Sequence, residues 1–445
     1  MSDTVDKNDT VDKERGAGTG TAGSEDAAPR NGDAAAPGAA PVVDPRLLVR
    51  EQGFAGYVTD FKRRVRGGEL GSLPVILGLI IIAVIFQSLN ENFLSAGSVS
   101  DIGVYIAGTG IMATGIVFVL LLGEIDLSVG SVAGVGAAVW AVLSVTNGVN
   151  DWLAVIIAIV AGLVIGSLHG FFFARVGVPA FVVTLAGFLG WSGLQIWLMG
   201  SEGSINTPES SVVEDLTGYY FEDIAAAYGL ALVAVLAYAA ALLVDAKRRK
   251  AARLPSRPVS EIVVRTGVMA LVAFVAAYVL NQSRGLPLAL VLFLAVLVIA
   301  DFAVRRTTYG RQIFAVGGNA EAARRAGINV EWVRISVFGI AGMLAAFGGL
   351  FIASLSGGAT KSLGAGNTLM NVIAAAVIGG TSLFGGRGKI WSALLGILVI
   401  QSIQQGLNLL GMASEIQYMI TGAVLLAAVV IDSVSRRTQK TAGRT

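Results

Sequence analysis

The stretch GIMATGIVFVLLLGEIDLSVGSVAGVGAAVWAVL, residues 110–143, decides the fold. It places two long apolar runs on either side of a short link that carries Glu124 and Asp126. An apolar run of about 20 residues is long enough to cross the hydrocarbon core of a bilayer as a helix. Neither run alternates apolar and polar residues, as the strands of a membrane barrel would. The stretch therefore predicts two membrane-spanning helices joined by an acidic link.

The rest of the chain repeats this apolar pattern. Of its 445 residues, 54% are hydrophobic and only 14% are charged, whereas soluble domains average about 25% charged residues. The sequence predicts an all-α, polytopic transmembrane helical bundle of about 12 segments, and ten spans plus an extra pair or re-entrant pieces fit equally well. The predicted segments are at about residues 73–90, 101–122, 131–147, 152–174, 179–199, 223–245, 262–281, 285–304, 333–356, 369–386, 390–411 and 414–432.

The positions of the basic residues predict how the bundle is oriented. Loops rich in Lys and Arg stay on the cytoplasmic side of a membrane. With an even number of spans, the basic clusters at 247–250, 305–311, 324–325 and 387–389 fall on the same side as both termini. The loop at 201–223 has several acidic residues and no basic one, and it falls on the other side. We therefore expect a multi-pass protein of the plasma or inner membrane with both termini cytoplasmic.

Composition divides the chain into four regions. Residues 1–45 are polar and almost free of large apolar side chains, which predicts a disordered cytoplasmic tail. Residues 46–72 fit an amphipathic segment at the membrane interface. The transmembrane domain follows at 73–432, and a second cytoplasmic tail at 433–445.

The sequence lacks most of the residues that metal binding, covalent catalysis and nucleotide binding require. There is no cysteine, and His169 is the only histidine, so zinc sites, thiol nucleophiles and serine–histidine catalysis are disfavoured. The glycine-rich stretches at 108–113, 316–323 and 383–390 lack the strand, lysine or hydroxyl residue that nucleotide-binding loops require. We expect no catalytic residue, no metal site and no cofactor bound by this chain.

The acidic link has two interpretations. An aspartate at the bilayer centre costs about 2.5–3.5 kcal/mol, so the link must lie at an interface, in a cavity or against another helix. In the first interpretation, Asp126 or Ser128 caps the following helix by accepting backbone N–H groups. In the second, Glu124 and Asp126 pair with a cation and help to hold a gate together with Ser128, Gly130 and Arg387. Lys389 is an alternative cation to Arg387, and the two interpretations are not exclusive.

A short helix is predicted in the basic loop at about 305–332. Asn319 can cap it, Glu321 lies in its first turn, Arg324 and Arg325 in its last, and Gly327 ends it. The helix could be an ordinary surface element, a basic patch that attracts anionic lipid, or a rigid knob that docks into a partner.

The same loop carries a family resemblance. The stretch GRQIFAVGGNAEAARRAGINV resembles the coupling segment of permease subunits of ATP-binding-cassette importers, in the form found in sugar permeases of the ribose and xylose type. GEIDLSVGSVAGV, GFFFARVGVPAFVVTLAGFLG and IAAAVIGGTSLFGGRGKIWSALLGILVIQSIQQGLNLLGM match the same family in the same order. The extra apolar pair around DAKRRKAARLPSR is similar to the xylose branch. The chain departs from the family at His169, where Asn is usual, and lacks the Leu-Pro that often follows Gly327.

The resemblance implies a permease that forms the pathway for a small neutral sugar, with a pentose such as xylose favoured and a hexose or nucleoside as alternatives. It implies a cytoplasmic ATPase, an extracytoplasmic sugar-binding protein and a second copy of the chain as partners, and no nucleic acid. The residues expected to couple to the ATPase are Gly317, Gly318, Asn319, Glu321, Ala322, Ala323 and Gly327. A proton-coupled secondary transporter that uses Glu124 and Asp126 is the rival interpretation.

A sugar pathway should be lined by neutral polar side chains. Gln401, Gln404, Gln405 and Asn408 recur at helical spacing on one face of residues 391–411. We expect them to line the pathway with Thr184, and Gln195, Thr381 and Ser382 are weaker candidates. The alternative is that these side chains hydrogen-bond neighbouring helices, at about 0.6 kcal/mol each.

Overall fold

The computed structural model of the chain describes residues 73–252, 254, 256 and 258–441. The predicted tail at 1–45, the predicted interfacial segment at 46–72 and the last four residues lie outside the described residues.

The described part of the chain is mostly helical, and each of the twelve predicted apolar segments coincides with a helix. Its fifteen α-helices are α1 (Leu73–Leu89), α2 (Ala96–Leu122), α3 (Val129–Ala141), α4 (Asp151–Phe171), α5 (Ala180–Met199), α6 (Val212–Gly218), α7 (Ile224–Ala251), α8 (Val259–Asn281), α9 (Leu288–Arg306), α10 (Thr308–Gly318), α11 (Ala320–Arg325), α12 (Val330–Leu355), α13 (Asn367–Ile378), α14 (Trp391–Leu409) and α15 (Ser414–Thr441). One π-helical turn, Val142–Thr146, extends α3, and another, Phe172–Val176, extends α4.

Nine helices within the described residues are long and apolar enough to cross a membrane. Helix α13 is not among them, because its 12 residues rise only about 18 Å against a hydrocarbon core of about 30 Å. The predicted segment at 369–386 was too long: the helix ends at Ile378, and Gly380 then takes a φ of 101° that few other residues adopt. By its length, helix α13 is therefore a half-span, and the number of membrane crossings stays a prediction.

Two short strand pairs fasten one loop to the bundle. Strand β1 (Ser204–Asn206) pairs antiparallel with β4 (Gly358–Thr360), and β2 (Tyr220–Phe221) pairs antiparallel with β3 (Leu286–Pro287). Both pairs tie the acidic loop between α5 and α7 to segments far away in sequence. The sequence had predicted no strand here.

The core of the bundle is built around α2 and α12. Helix α2 is buried along almost its whole length, and α12 crosses α4 where both helices carry glycines. A Cβ added at Gly342 would lie 2.9 Å from the Cα of Gly166, closer than real Cβ contacts. The two backbones thus touch directly, as small residues allow in membrane bundles.

Helices α7 and α8 form a hairpin at the periphery. They contact each other through a small cluster that includes Ala227, Ala231, Ala277 and Leu280. Most of their other apolar side chains are exposed, among them Leu236, Val264 and Leu271. Such a surface suits contact with lipid, and it corresponds to the extra apolar pair predicted from the sequence.

Helix α9 defines the two faces of the molecule. It begins directly after β3 and ends directly before α10, and its 19 residues rise about 28 Å. The strand pair and the loop at 307–329 therefore lie at opposite ends of a membrane-crossing helix. We call the end that carries 307–329 the coupling face, and the end that carries the strands the strand face.

Candidate functional site: coupling loop, glycine junction and amide cavity

The short helix predicted in the basic loop is present as α11. The Asn319 side chain accepts a hydrogen bond from the Ala322 N–H at 2.9 Å, and Gly327 takes a φ of 82°. Glu321 lies 3.6 Å from Arg324 and 3.4 Å from Arg325. Most side chains of α11 are exposed, whereas Ala323 is buried against the chain itself. Any partner would therefore meet Glu321 and Ala322 rather than Ala323.

A second helix, α10, directly precedes α11, and the sequence analysis had not identified it. Helix α10 buries Ile313 and Val316, and the Thr307 hydroxyl caps it by accepting from the Gly310 N–H at 3.2 Å. The Tyr309 hydroxyl lies 2.9 Å from the hydroxyl of Ser336 on α12. Burial raises the pKa of Tyr309, and this hydrogen bond opposes the effect. Helix α11 thus directly follows α10, which packs against the bundle and is hydrogen-bonded to it.

Three backbone segments meet just before α11 in the fold: the end of α2, the end of α10 and the segment that follows α13. A Cβ added at Gly385 would lie 2.6 Å from the carbonyl oxygen of Gly317 and 2.9 Å from the Cα of Gly123. A Cβ at Gly317 would overlap the carbonyl oxygen of Leu121. The Gly386 N–H donates to that same Leu121 oxygen at 2.9 Å. Gly123, Gly317, Gly385 and Gly386 form what we call the glycine junction: a Cβ at Gly317 or Gly385 would overlap backbone, and Gly123, Gly385 and Gly386 take positive φ angles.

The acidic link lies beside this junction. Asp126 is only 3% exposed, and its Oδ1 accepts from the Ser128 N–H at 2.8 Å and from the Ser128 hydroxyl at 2.6 Å. Asp126 thus accepts the backbone N–H of Ser128 in the turn just before α3, whereas the side chain of Ser128, the N-cap residue, makes no capping bond. Gly130 packs against the backbone of Gly364 rather than in the junction.

A hydrogen-bonded chain extends from Asp126 into two neighbouring helices. The Trp191 Nε1–H on α5 donates to His169 Nε2 at 2.8 Å. Because Nε2 accepts, the proton of the neutral imidazole is on Nδ1, which lies 3.3 Å from the Ser128 hydroxyl. Ser128 in turn donates to Asp126. Sequence reasoning missed this chain, although the single histidine was a signal that could have led to it.

Glu124 is only half-buried. Burial raises its pKa, and the positive charge of Arg334 opposes that effect. Arg334 lies in the first turns of α12, with its guanidinium 4.3 Å from the centre of the Phe173 ring. Arg334 was not among the cations expected here. The pairing of Arg387 or Lys389 with the acidic link stays a prediction, although their segment does reach the link through the contact of Gly385 with Gly123.

A cavity of about 280 Å³ opens between α2, α12, α13 and α14. Three of the predicted residues line it, Gln401, Gln404 and Asn408. Asn371 also lines it, is 7% exposed, and has no hydrogen-bond partner for its Oδ1 among the described residues. We call this the amide cavity; its other lining residues are Val104, Tyr105, Gly108, Thr109, Phe351, Ile352, Leu355 and Thr368.

The half-span α13 begins at the amide cavity. Thr368 and Asn371 lie in its first turns and line the cavity. Its N-cap is Gly366, which offers no side chain to the first N–H groups. Half-helices whose N-termini meet a cavity within the membrane are a recurrent way to build solute sites in transporters. The cavity combines amides, hydroxyls and a helix N-terminus without a charged lining residue.

The other predicted pathway residues do not line the cavity, and each makes a hydrogen bond elsewhere. Gln405 donates to the Ser98 hydroxyl at 3.2 Å. The Thr184 hydroxyl donates to Phe181 O at 3.3 Å and lies 3.5 Å from Ile125 O of the acidic link. Gln195 donates to Thr360 O at 2.9 Å, Thr381 bonds Ser392, and the Ser382 hydroxyl accepts from the Phe384 N–H. For Gln405, Gln195 and Thr381 the structure fits the interhelical alternative, whereas the bonds of Ser382 and of Thr184 to Phe181 are local.

Sequence reasoning missed part of the cavity lining. Asn371, Thr368, Tyr105 and Thr109 come from two helices other than the one that carries the glutamine face. Periodicity along a single helix identifies one face, but it does not say which other faces meet it. The spacing of Tyr105 and Thr109, four residues apart, was the available signal on α2.

Comparison with known proteins gives the family. Residues 98–429 match the family model described as branched-chain amino acid transport system / permease component. The chain is 36% identical over 365 residues to the xylose transport system permease protein XylH of Escherichia coli (strain K12), covering 82% of this chain and 92% of that protein. The corresponding XylH of Haemophilus influenzae is 34% identical, with 82% and 98% covered.

A ribose permease is also related. The ribose import permease protein RbsC of Bacillus subtilis (strain 168) is 30% identical over 374 residues, covering 84% of this chain and 96% of that protein. No solved structure matches the chain. The chain therefore belongs to the multi-pass membrane permeases of ATP-binding-cassette importers, in the sugar-permease group of the ribose and xylose type.

Proposed function

We propose that this chain forms the membrane pathway for a small neutral sugar, with xylose or another pentose as the solute, driven by a separate ATPase that binds the exposed side of α11. The observation that carries the proposal is that one short helix links the amide cavity to the coupling loop. Helix α13 begins at the cavity and is followed by the segment that holds Gly385 and Gly386 in the glycine junction. A displacement of α11 would reach the cavity through these contacts.

The lining of the amide cavity supports a neutral solute. Its twelve lining residues include no Asp, Glu, Lys or Arg, and a charged solute would enter it without a counter-charge. The unpartnered Oδ1 of Asn371 can accept a hydrogen bond from a sugar hydroxyl, and the amide groups of Gln401 and Gln404 can both donate and accept. A volume of about 280 Å³ suits a small molecule.

The pentose assignment has weaker support than the importer assignment. The xylose permeases above are 36% and 34% identical to this chain, and the ribose permease 30%. The hairpin α7–α8 corresponds to the extra pair that is similar to the xylose branch. Ribose, a hexose and a nucleoside are the other outcomes that a transport assay must separate.

The rival proton-coupled transporter has no comparable support. The carboxylate of Asp126 already accepts two hydrogen bonds from Ser128, just before α3, so a structural role explains its burial. No proton-coupled carrier appears among the relatives described above. We accordingly place ATP binding and hydrolysis on the partner, and the coupling face and both termini in the cytoplasm.

The remaining partners follow from the same proposal. A soluble protein on the strand face would deliver the sugar, and a second copy of the chain would complete the permease as a homodimer. The chain itself would bind no nucleotide cofactor.

A pull-down tests the importer assignment at α11. Tagged wild type is purified from its native cells in mild detergent after cross-linking, and the accompanying proteins are identified by mass spectrometry. Ala322→Arg places a large cation on the exposed side of α11 and keeps a good helix former. Ala252→Arg makes the same change at the exposed end of α7. We expect an ATPase to accompany wild type and Ala252→Arg but not Ala322→Arg.

Other outcomes would contradict the proposal. An ATPase that is retained by Ala322→Arg would move the docking site elsewhere. Wild-type uptake that needs no ATPase and follows the proton gradient would overturn the importer assignment. Uptake of labelled xylose, ribose, glucose and adenosine by cells that express the complete system then tests the sugar, and we expect xylose to be taken up fastest.

A further inference from the structure

One side chain that does not line the amide cavity is hydrogen-bonded to one that does. Gln417 lies in the first turn of α15, and its Nε2 donates to the Oδ1 of Asn408 at 2.8 Å. Asn408 lines the cavity from the last turn of α14. The transport mechanism proposed above gives Gln417 no part.

The bond from Gln417 decides which atoms of Asn408 remain for a solute. The same Nε2 also donates to the backbone carbonyl of Met412 at 3.2 Å. A backbone carbonyl only accepts, so the Gln417 atom between these two partners is the amide nitrogen, and both of its hydrogens are used there. The Asn408 atom that it meets is therefore the oxygen. The Nδ2 of Asn408 makes no hydrogen bond among the described residues, so its N–H groups remain as donors.

The turn between α14 and α15 holds both oxygens that Gln417 contacts. Gly411 takes a φ of 65°, and its N–H donates to the backbone carbonyl of Asn408 at 3.0 Å. The Met412 N–H donates to the Leu407 carbonyl at 3.0 Å. A left-handed glycine with two such bonds is a common way to end a helix. Because the turn fixes Asn408 relative to Met412, Gln417 meets a preformed pair of acceptors.

Asn408 differs in this respect from the other three amide side chains that line the cavity. Gln401 Nε2 lies 3.5 Å from the carbonyl oxygen of Tyr105, at the long limit for a hydrogen bond. Within the described residues, the side-chain amides of Gln404 and Asn371 make no hydrogen bond. These three amides are free to turn towards a solute, whereas Asn408 presents a fixed donor.

Asn408 lies at the strand-face end of the amide cavity, which we call the mouth. Helix α14 follows the segment that holds Gly385 in the glycine junction, and Asn408 lies about two turns beyond Gln401, a rise of about 10 Å. Leu355 also lines the cavity, and it ends α12 shortly before β4 on the strand face. A sugar that enters from the strand face therefore meets Asn408 before it reaches Gln401.

We propose that Gln417 is a positioning residue for solute recognition. It holds the Asn408 amide so that the N–H groups serve the mouth, which then selects a solute that offers a hydrogen-bond acceptor there, a hydroxyl or ring oxygen of a neutral sugar. Gln417 does not touch the solute and acts through Asn408. The inference rests on the proposed function, which makes the amide cavity the sugar pathway.

The other role open to Gln417 is to join α14 to α15. The bond to the Met412 carbonyl would serve that role by itself, because Met412 lies in the turn between the two helices. The two roles make different demands on the side chain at this position. Joining the helices does not depend on Asn408, whereas orienting the Asn408 amide requires a donor that meets its oxygen.

The test compares substitutions at Gln417 in the complete importer. Gln417→Lys keeps donors for both oxygens, Gln417→Met keeps the length of the side chain without its polar group, and Gln417→Glu offers only acceptors at neutral pH. Opposite Glu, the Asn408 amide has to turn and donate to the carboxylate, which leaves its oxygen for the mouth. Ser414→Lys and Ser414→Glu place the same charges at an exposed position in the same turn of α15.

The permease, its ATPase and its sugar-binding protein are reconstituted in liposomes, and uptake of labelled xylose is measured, or of the sugar that proves fastest in the uptake assay above. We expect uptake to fall at least about fivefold in Gln417→Glu and less than about twofold in Gln417→Lys, with Gln417→Met between them, since one hydrogen bond has an effect of this size. Both Ser414 variants should stay within about twofold of wild type.

A double-mutant cycle separates positioning from packing. Asn408→Ala removes the group that Gln417 orients, so Gln417→Glu should lower uptake no further in that background. Effects of the two substitutions that multiply would show that Gln417 acts independently of Asn408, and would overturn the proposal. Equal uptake by Gln417→Lys and Gln417→Glu would overturn it too, because donors and acceptors would then serve equally well.

These failures differ from a failure of the proposed function. If Asn408→Ala transports as fast as wild type while the wild type imports sugar with its ATPase, the positioning proposal fails and the importer assignment stands. If the wild type imports no neutral sugar, or needs no ATPase, the proposed function fails and the positioning proposal with it.

Discussion

The glycine junction is closely packed, whereas the amide cavity is open, although α13 and the segment that follows it connect the two. At the junction, Gly123, Gly317 and Gly385 bring three backbones together, and neither Gly317 nor Gly385 has room for a Cβ atom. At the cavity, Gln401, Gln404 and their neighbours surround a space of about 280 Å³. One region is filled by backbone alone, and the other is lined by side chains that have hydrogen-bonding capacity to spare.

The difference shows how one bundle can separate the transmission of motion from the recognition of a solute. Closely packed backbone passes a displacement on because neither side can yield without breaking contacts. An open polar site can instead adapt to a solute whose hydroxyls complete its hydrogen bonds. Substitutions at the junction should therefore change stability and coupling together, whereas substitutions in the cavity should change transport alone.

The largest expected effect is at Gly317. In Gly317→Ala, the new Cβ would overlap the carbonyl oxygen of Leu121, and overpacking of this kind costs about 1–3 kcal/mol. We expect a lower thermal unfolding midpoint and the loss of most sugar uptake. Gly318→Ala is the matched control for stability, because a Cβ there meets nothing within 4 Å in the isolated chain. Equal unfolding midpoints for the two variants would show that the junction is not closely packed.

The cavity comparison uses Asn371 and Gln405. Asn371→Leu removes an acceptor that has no partner, so it should leave stability unchanged or slightly higher, while the KM for the sugar rises about tenfold or more. Gln405→Leu removes the bond to Ser98 and should lower stability by about 0.6 kcal/mol without changing the KM. Uptake kinetics and thermal unfolding of both variants check this, and a reversed pattern would place the pathway elsewhere.

A smaller effect is expected for the chain that joins Asp126 to α5. Trp191→Phe keeps the ring but removes the N–H that His169 accepts, at a cost of about 0.5–1.5 kcal/mol. Trp197→Phe on the same helix is the control, since Trp197 is 75% exposed and has no hydrogen bond of its side chain among the described residues. Denaturation in mild detergent measures both, and indistinguishable variants would mean that the chain does not hold the acidic link.

The smallest expected effect is the change of stability with pH that is due to Glu124. Because burial raises the pKa of Glu124, the folded protein favours its protonated form, so the contribution of this group to stability is lost as pH rises through the folded-state pKa. Glu124→Gln should flatten that dependence, and Arg334→Gln should steepen it, because Arg334 opposes the rise. Unfolding midpoints between about pH 4 and about pH 7 test this, and a wild-type slope in both variants would contradict it.

Much of the local structure could be predicted from the sequence. Apolar runs predict helices because a helix is the way for a lipid-exposed segment to satisfy its own backbone. The cap at Asn319 and the stop at Gly327 depend on neighbours within a few residues, and both are present. The end of α13 was predicted wrongly, because IGGTSLFGG is apolar enough to look like a continuing span, and hydropathy does not register the positive φ angles of its glycines.

By itself, the sequence determined that this chain crosses the membrane many times, carries a capped helix in its basic loop, and resembles the sugar permeases to which it belongs. Only the tertiary structure decided that Gly123, Gly317 and Gly385 meet, that Asn371 joins Gln401 in one cavity, and that His169 links Trp191 to Ser128. The physical reason is distance along the sequence. Hydropathy and capping depend on residues near one another in sequence, whereas a junction or a cavity depends on which faces of distant helices pack together.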